Sequence, residues 1–194
     1  MKSDKTKEKI IGETIQLINE TNGEIALVTI RRIAERAQIG IGLINHYFGS
    51  KERLIQIAVQ QIIEQVVSSF RVDITSFTSS QEVTIAAATQ VMDFLMKNAQ
   101  ISKVSILGDL MNPQDADNSM MTAKGFAFCM SRGKDVEQYK LEAFQLVSLM
   151  QEAFLRKDSF EKSFGINLYD KGQRDGYLRR VIQQLLGKEN EGEL

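Results

Sequence analysis

The chain holds one proline, one cysteine, one histidine and no tryptophan in 194 residues. With Pro113 as the sole proline, long stretches are free to be helical, since proline is the strongest helix breaker. A lone thiol, Cys129, cannot close an internal disulfide, so a disulfide scaffold is excluded and a reducing compartment fits. One histidine and one cysteine leave no cluster to hold a metal, and no nucleophile–base pair is recognisable. No metal, cofactor or catalytic residue is therefore expected, and the chain is not read as an enzyme. No apolar run approaches the ~18 residues that a membrane span needs. No basic start leads into an apolar segment of the secretory kind. A cytoplasmic protein without a membrane partner is expected.

Hydrophobic residues make up 43% of the chain, enough for a packed core and too many for disorder. The net charge of −1 argues against a general nucleic-acid coat. Its distribution is more telling. Residues 1–54 hold nine Lys/Arg against seven Asp/Glu, whereas the remainder holds fifteen against eighteen. The excess of positive charge places any polyanion contact at the N-terminus.

Strand-like alternation is scarce and 3.6-residue periods recur, so the chain reads as all-α. A first helix is expected from about Lys5 to Glu20, with Ile11, Ile15 and Ile18 on one face and Asn22-Gly23 as its stop. A second begins after Thr29, an N-cap, with Ile30, Ile33, Ala34 and Ala37 at i, i+3, i+4 and i+7. Val28 is placed to pack on Ile33 as a hydrophobic staple. A third, Ile41 to Phe48, spans two turns. Gly49 ends it, and Ser50 caps a long fourth helix reaching about Phe70. The polar stretch 73–81 is a joint. Further helices are expected near 81–98, 101–111, 117–131, 134–157 and 170–187, with a loop at 112–119 and a polar, frayed tail from Gly187.

Helices two and three are separated by about three residues, which is helix-turn-helix spacing. On the third, Ile41, Ile44 and Phe48 share the face expected to pack inward. Gly42, Leu43 and His46 lie opposite, with Asn45 and Tyr47 at the margins. A two-turn helix is unstable alone and must be held by neighbours. Its outer face is then free to enter a DNA major groove. Gly40-Ile41-Gly42 lacks the third glycine and the Gly-Lys-Ser/Thr ending of a phosphate loop.

The segment Thr29–Leu54, "TIRRIAERAQIGIGLINHYFGSKERL", resembles the DNA-binding signature of TetR-type transcriptional regulators. Thr29, Arg31, Ile33, Ala34, Ala37, Gly42, Tyr47, Phe48, Ser50, Lys51, Glu52 and Leu54 match its usual form, and Ile39 and Ile44 vary conservatively. Gln38 stands where the pattern has a turn glycine. Gly40 replaces a Ser/Thr cap, and Asn45 replaces a tyrosine. The resemblance implies a helix-turn-helix domain over 1–54 and a helical effector-binding and dimerisation domain over 55–194, the fourth helix linking the two. It implies phosphate contacts by Thr29, Tyr47, Ser50 and Lys51. Arg31, Leu43, Asn45 and His46 would face base edges, with Gly42 allowing close approach and Ile41 in reach of a thymine methyl. Implied partners are a palindromic double-stranded DNA operator, a second copy of the chain and a small-molecule effector.

Beyond the first third the resemblance is one of layout. Tyr139, Ala143, Val147, Met150 and Phe154 form one stripe, and Leu178, Val181, Ile182 and Leu185 another. They are expected to form a homodimer interface; the alternative is burial within one chain. Met92, Phe94, Met96, Leu107, Met111, Met121, Phe126 and Met130 are soft apolar residues suited either to plain core or to a pocket for an apolar or amphipathic effector. Cys129 reads as an inert buried thiol. A rival reading is a helical protein-interaction module that does not bind DNA specifically.

Overall fold

The computed structural model describes residues 2–69 and 72–187. Phe70, the expected end of the fourth helix, and the tail beyond Gly187 lie outside the described residues. Among the described residues there are ten α-helices and three short 3₁₀ turns, and no strand. The all-α reading holds.

The helices are α1 (Lys2–Glu20), α2 (Ile30–Ala37), α3 (Ile41–Phe48), α4 (Lys51–Ser69), α5 (Ser80–Lys97), α6 (Ala99–Met111), α7 (Asn118–Ser131), α8 (Lys140–Leu155), α9 (Lys157–Phe164) and α10 (Lys171–Leu186). Two compact units emerge. The first runs to Ser69 and includes Asn98–Pro113; the second takes residues 72–97 and 114–187. These units follow packing. They do not coincide with the division of labour expected at residues 54/55, because α4 and α6 both belong with the N-terminal helices.

In the first unit α1 packs on α2 and α4, and α4 also packs on α6. The buried face of α1 is Ile10, Thr14, Leu17 and Ile18. Of the face expected from sequence only Ile18 is fully buried, while Ile11 and Ile15 sit half-buried at its edge. The stop at Asn22-Gly23 forms as expected. Both residues adopt positive φ, and the Gly23 N–H reaches the Ile18 carbonyl at 2.8 Å. A Cβ on Gly23 would meet Ile101 of α6. Arg36 of α2 bonds Glu13, Gln16 and Glu20 of α1 at 2.6–3.0 Å. The bonds to Glu20 and then Glu13 hold its guanidinium pKa above the usual range.

The α4–α6 contact is close and polar. A Cβ on Gly108 would sit 2.7 Å from Nε2 of Gln56. The Gln60 side-chain amide donates to Asp109, which is buried.

In the second unit α7 packs on α5 and α8, and α10 on α5 and α8. Arg174 at the start of α10 is 7% exposed and donates to Asp93 of α5 at 2.6 Å and to the Leu168 carbonyl at 2.8 Å. Lys171 adds a second bond to Asp93 at 3.0 Å. The helix expected over 134–157 is split. Residues 137–139 form a 3₁₀ turn, α8 starts at Lys140, and the chain breaks at Arg156 before α9. The short α9 was not foreseen. Its signal is the Phe160/Phe164 pair one turn apart, whose rings lie 4.7 Å apart.

Gln38, φ 56°, is one of three non-glycine residues at positive φ among the described residues, with Asn22 and Arg132. A side chain in that region costs about 1–2 kcal/mol. Gln38→Gly is expected to raise the melting temperature by roughly 2–4 °C, the shift that a gain of about 1 kcal/mol gives a chain of this size. A thermal melt with an unchanged or lower midpoint would show that the strain is absent.

Candidate nucleic-acid interface

Local chemistry sets up α2. Thr29 has extended backbone, and its hydroxyl oxygen accepts the Arg32 N–H at 3.3 Å. Ile33, Ala34 and Ala37 face inward. The helix closes through Gln38, and the Ile39 N–H reaches back to the Ala34 carbonyl at 3.0 Å. Two residues later α3 begins. Gly40 caps it with extended backbone and no side-chain bond, so the missing Ser/Thr hydroxyl has no substitute.

The orientation of α3 decides what it can contact. Ile44 is completely buried and Phe48 is 9% exposed. Gly42, Asn45 and His46 are exposed, as are Leu43 at 37% and Ile41 at 43%. Ile41 therefore does not pack inward with Ile44 and Phe48, as its spacing suggested. It lies at the first turn, where α3 is not yet covered, and joins the outer face. All five base-facing candidates on α3 thus share one solvent-facing surface. Arg31 is also exposed and pairs with Glu35 one turn on, at 3.1 Å.

The phosphate candidates sit around this surface. Gly49, φ 77°, ends α3, and the Ser50 hydroxyl accepts the Arg53 N–H at 3.1 Å, capping α4. Lys51 is then the first residue of α4, where free backbone N–H groups favour an anion. Tyr47 is half-buried, with the His46 ring 5.4 Å away edge-on. Lys7 of α1 lies over the Tyr47 ring, 5.7 Å from its centre. Sequence reading missed Lys7. It lies forty residues before Tyr47, and only packing of α1 brings it there. Arg32 is held away from this cluster by a 2.8 Å bond to the Leu27 carbonyl.

The residues read as a dimer interface are placed differently. Ala143, Val147, Met150, Phe154, Leu178, Val181 and Ile182 are buried within the chain itself, and Tyr139 and Leu185 are half-buried. The seven buried ones belong to the core between α8, α10 and their neighbours, while Tyr139 and Leu185 keep part of their surface. The apolar residues that α8 does expose are Leu141, Phe144 and Leu149. They lie on the opposite side of the helix, so α8 is apolar on both sides.

The soft apolar residues differ in exposure. Met92, Phe126 and Met130 are core. Phe94 and Met96 are half-buried. Leu107, Met111 and Met121 are exposed, Met111 by 79%. Cys129 is buried, and burial alone pushes its thiol up to about 11, so it stays protonated and unreactive. Among the described residues no group of three His, Cys, Asp or Glu side chains is placed to hold a metal ion. No described helix is long and apolar enough to cross a membrane.

The orientation of α3 is testable without DNA. Ile44→Ala is expected to cost about 2–5 kcal/mol in urea unfolding, as deletion of a fully buried isoleucine does. Ile41→Ala and His46→Ala are expected to stay within about 0.5 kcal/mol of the parent. Equal losses in all three would mean that Ile41 and His46 are packed.

Residues 23–57 match the family model of bacterial regulatory proteins, tetR family. A BetI-type HTH transcriptional regulator from Chromohalobacter salexigens is 39% identical over 57 residues, 29% of this chain and 27% of that protein. A BetI regulator from Stenotrophomonas maltophilia is 34% identical over 70 residues, 34% of this chain and 35% of that protein. The matched segments thus span about a third or less of these curated relatives. The fold of the whole chain resembles that of a TetR transcriptional regulator from Rhodococcus sp. RHA1. The TM-score is 0.59 with 18% identity over 97% of this chain and 99% of the other.

Proposed function

From the premise that this chain belongs to the TetR family of transcriptional regulators, we propose that it is an effector-responsive repressor that binds a palindromic DNA operator as a homodimer. The observation that carries this reading is the outer face of α3. Ile41, Gly42, Leu43, Asn45 and His46 are exposed together, while Ile44 and Phe48 fix the helix from behind. That is the arrangement of a helix that reads base edges from the major groove.

In this reading Thr29, Tyr47, Ser50 and Lys51 set the register on the phosphate backbone, and Lys7 is added to them. Its ammonium is exposed and sits over Tyr47, so α1 contributes charge beside the recognition helix. Arg31 and the exposed α3 side chains select the sequence. Asn45 is suited to an adenine edge, which it can meet with both a donor and an acceptor. The homodimer uses the exposed side of α8, with Leu141, Phe144 and Leu149, in place of the buried stripes. A small apolar or amphipathic effector changes the spacing of the two DNA-binding heads through α4. Such couplings are typically ~1–3 kcal/mol. Repression itself rests on the family reading.

Binding to the DNA flanking the chain's own coding region, titrated against salt and compared with random duplex, tests the reading. Specific binding with a two-fold footprint is expected. Lys51→Ala and Lys7→Ala should each weaken binding to every sequence and lower the salt slope by about one unit. Asn45→Ala should relax preference at one base pair per half-site and leave the slope unchanged. No binding even at low salt would overturn the reading in favour of a protein-interaction module.

The dimer surface has its own check. Phe144 is 48% exposed, so Phe144→Glu should leave the fold intact by circular dichroism. It should shift the protein from dimer to monomer in sedimentation. A variant that stays dimeric would place the interface elsewhere.

A further inference from the structure

A second feature belongs to the second compact unit and uses none of the apolar residues that α8 exposes. An open groove of about 530 Å³ is lined by Ser76, Phe77, Thr78, Glu82, Ile85, Ala86 and Arg179. Its size falls within the range of small-molecule sites. All its walls belong to the second compact unit: the connector before α5, the first turns of α5, and α10.

The walls divide by chemistry. Phe77, Ile85 and Ala86 are half-buried and present an apolar floor. The polar rim is largely committed. The Ser76 hydroxyl donates to Asp73 at 2.7 Å, and the Thr78 hydroxyl donates to Glu82 at 2.7 Å. Glu82 also accepts the Thr78 N–H at 2.9 Å. Those bonds, the hydroxyl first, hold the Glu82 carboxyl below its usual range, with a smaller contribution from the charge of Arg132. Arg179 is different. It is exposed and makes no hydrogen bond or ion pair with any described residue. Every side-chain donor on the rim is therefore spent except its guanidinium.

The lip is also fixed. The Asp73 carboxylate accepts the Ser76 and Thr75 hydroxyls and the Thr75 N–H, stitching the 3₁₀ turn at 74–76. These bonds, Ser76 first, lower its pKa to about 2, so the stitch persists throughout the neutral range. A ligand would meet a preformed wall, which lowers the cost of binding.

We propose that this groove binds a small organic anion, a carboxylate carrying an aryl or short alkyl group, with the carboxylate on Arg179 and the apolar part against Phe77, Ile85 and Ala86. A guanidinium matches a carboxylate through two parallel N–H···O bonds. An aromatic ring gains both burial and an offset or edge contact with Phe77. Arg179 is on the α5 side of α10. Tyr177, 200° round the helix from it, faces α8 and donates to the Leu149 carbonyl at 3.3 Å. The groove therefore stays open when α8 is covered by a second copy. The inference does not rest on DNA binding, and either one can fail without the other.

The test is calorimetric titration of the full chain with phenylacetate, against phenylacetamide and phenethylamine, with Ile85 and Ala86 methyl resonances followed by NMR. Phenylacetate should bind saturably with a dissociation constant of ~1 mM or tighter and shift both methyl resonances. The neutral amide should bind at least about tenfold more weakly. Arg179→Gln should lose about tenfold, with an unchanged melting temperature because the side chain has no partner to lose. Glu82 keeps one oxygen outside the bonds to Thr78, which makes the amine the sharpest competitor. The proposal is overturned by any of three results: no saturable binding, equal binding in Arg179→Gln, or preference for the amine.

Discussion

The DNA-facing side depends on the burial of Ile44 and Phe48 beneath an eight-residue helix. Two turns of helix are unstable in water, because nucleation fixes many dihedrals for few hydrogen bonds. Alternate faces of α3 thus have separate duties. Ile44 and Phe48 hold it against the rest of the head, and α1 and α4 supply the frame in which that burial is possible. The outer side chains are released from any structural role. A change there leaves the fold alone, which suits the sequence-reading role proposed for that surface.

The same division explains why the helix-turn-helix was legible in sequence and the exposed apolar side of α8 was not. Caps and turns are local chemistry. Thr29 accepting the Arg32 N–H, Asn22-Gly23 at positive φ and Gly49 ending α3 depend on neighbours within five residues. Ile41 was misplaced because periodicity extends a face to the end of a helix, while its first turn lies beyond what the neighbours cover. Stripes along α8 and α10 identify a buried face and say nothing about what buries it. Val147 and Ile182 are covered by their own chain. The decisive sign was that Leu141, Phe144 and Leu149 make α8 apolar on its other side too, a pattern that calls for two sets of neighbours.

The methionine-rich stretch is divided in a related way. Met92 and Met130 fill core gaps, whereas Met111 points to solvent at the end of α6. Composition within forty residues places such side chains near one another in sequence, yet they lie on three helices and in two packing units. The groove at Arg179 was invisible for the opposite reason. Its walls come from residues a hundred positions apart, and no local motif joins Thr78 to α10.

Within the first unit, α4 is held to α6 by a polar, partly buried contact. Gln60 donates to Asp109, Ser105 approaches the same amide at 3.4 Å, and Gly108 is present where a Cβ would strike Gln56. An apolar contact can slide with gradual loss. A buried hydrogen bond has one good geometry, and leaving its partners unsatisfied costs roughly 1–3 kcal/mol. That is the same size as a typical allosteric coupling. A shift of α4 against α6 is therefore resisted in steps. If a ligand is to move the recognition helices through α4, it must offset the loss of the Gln60–Asp109 geometry.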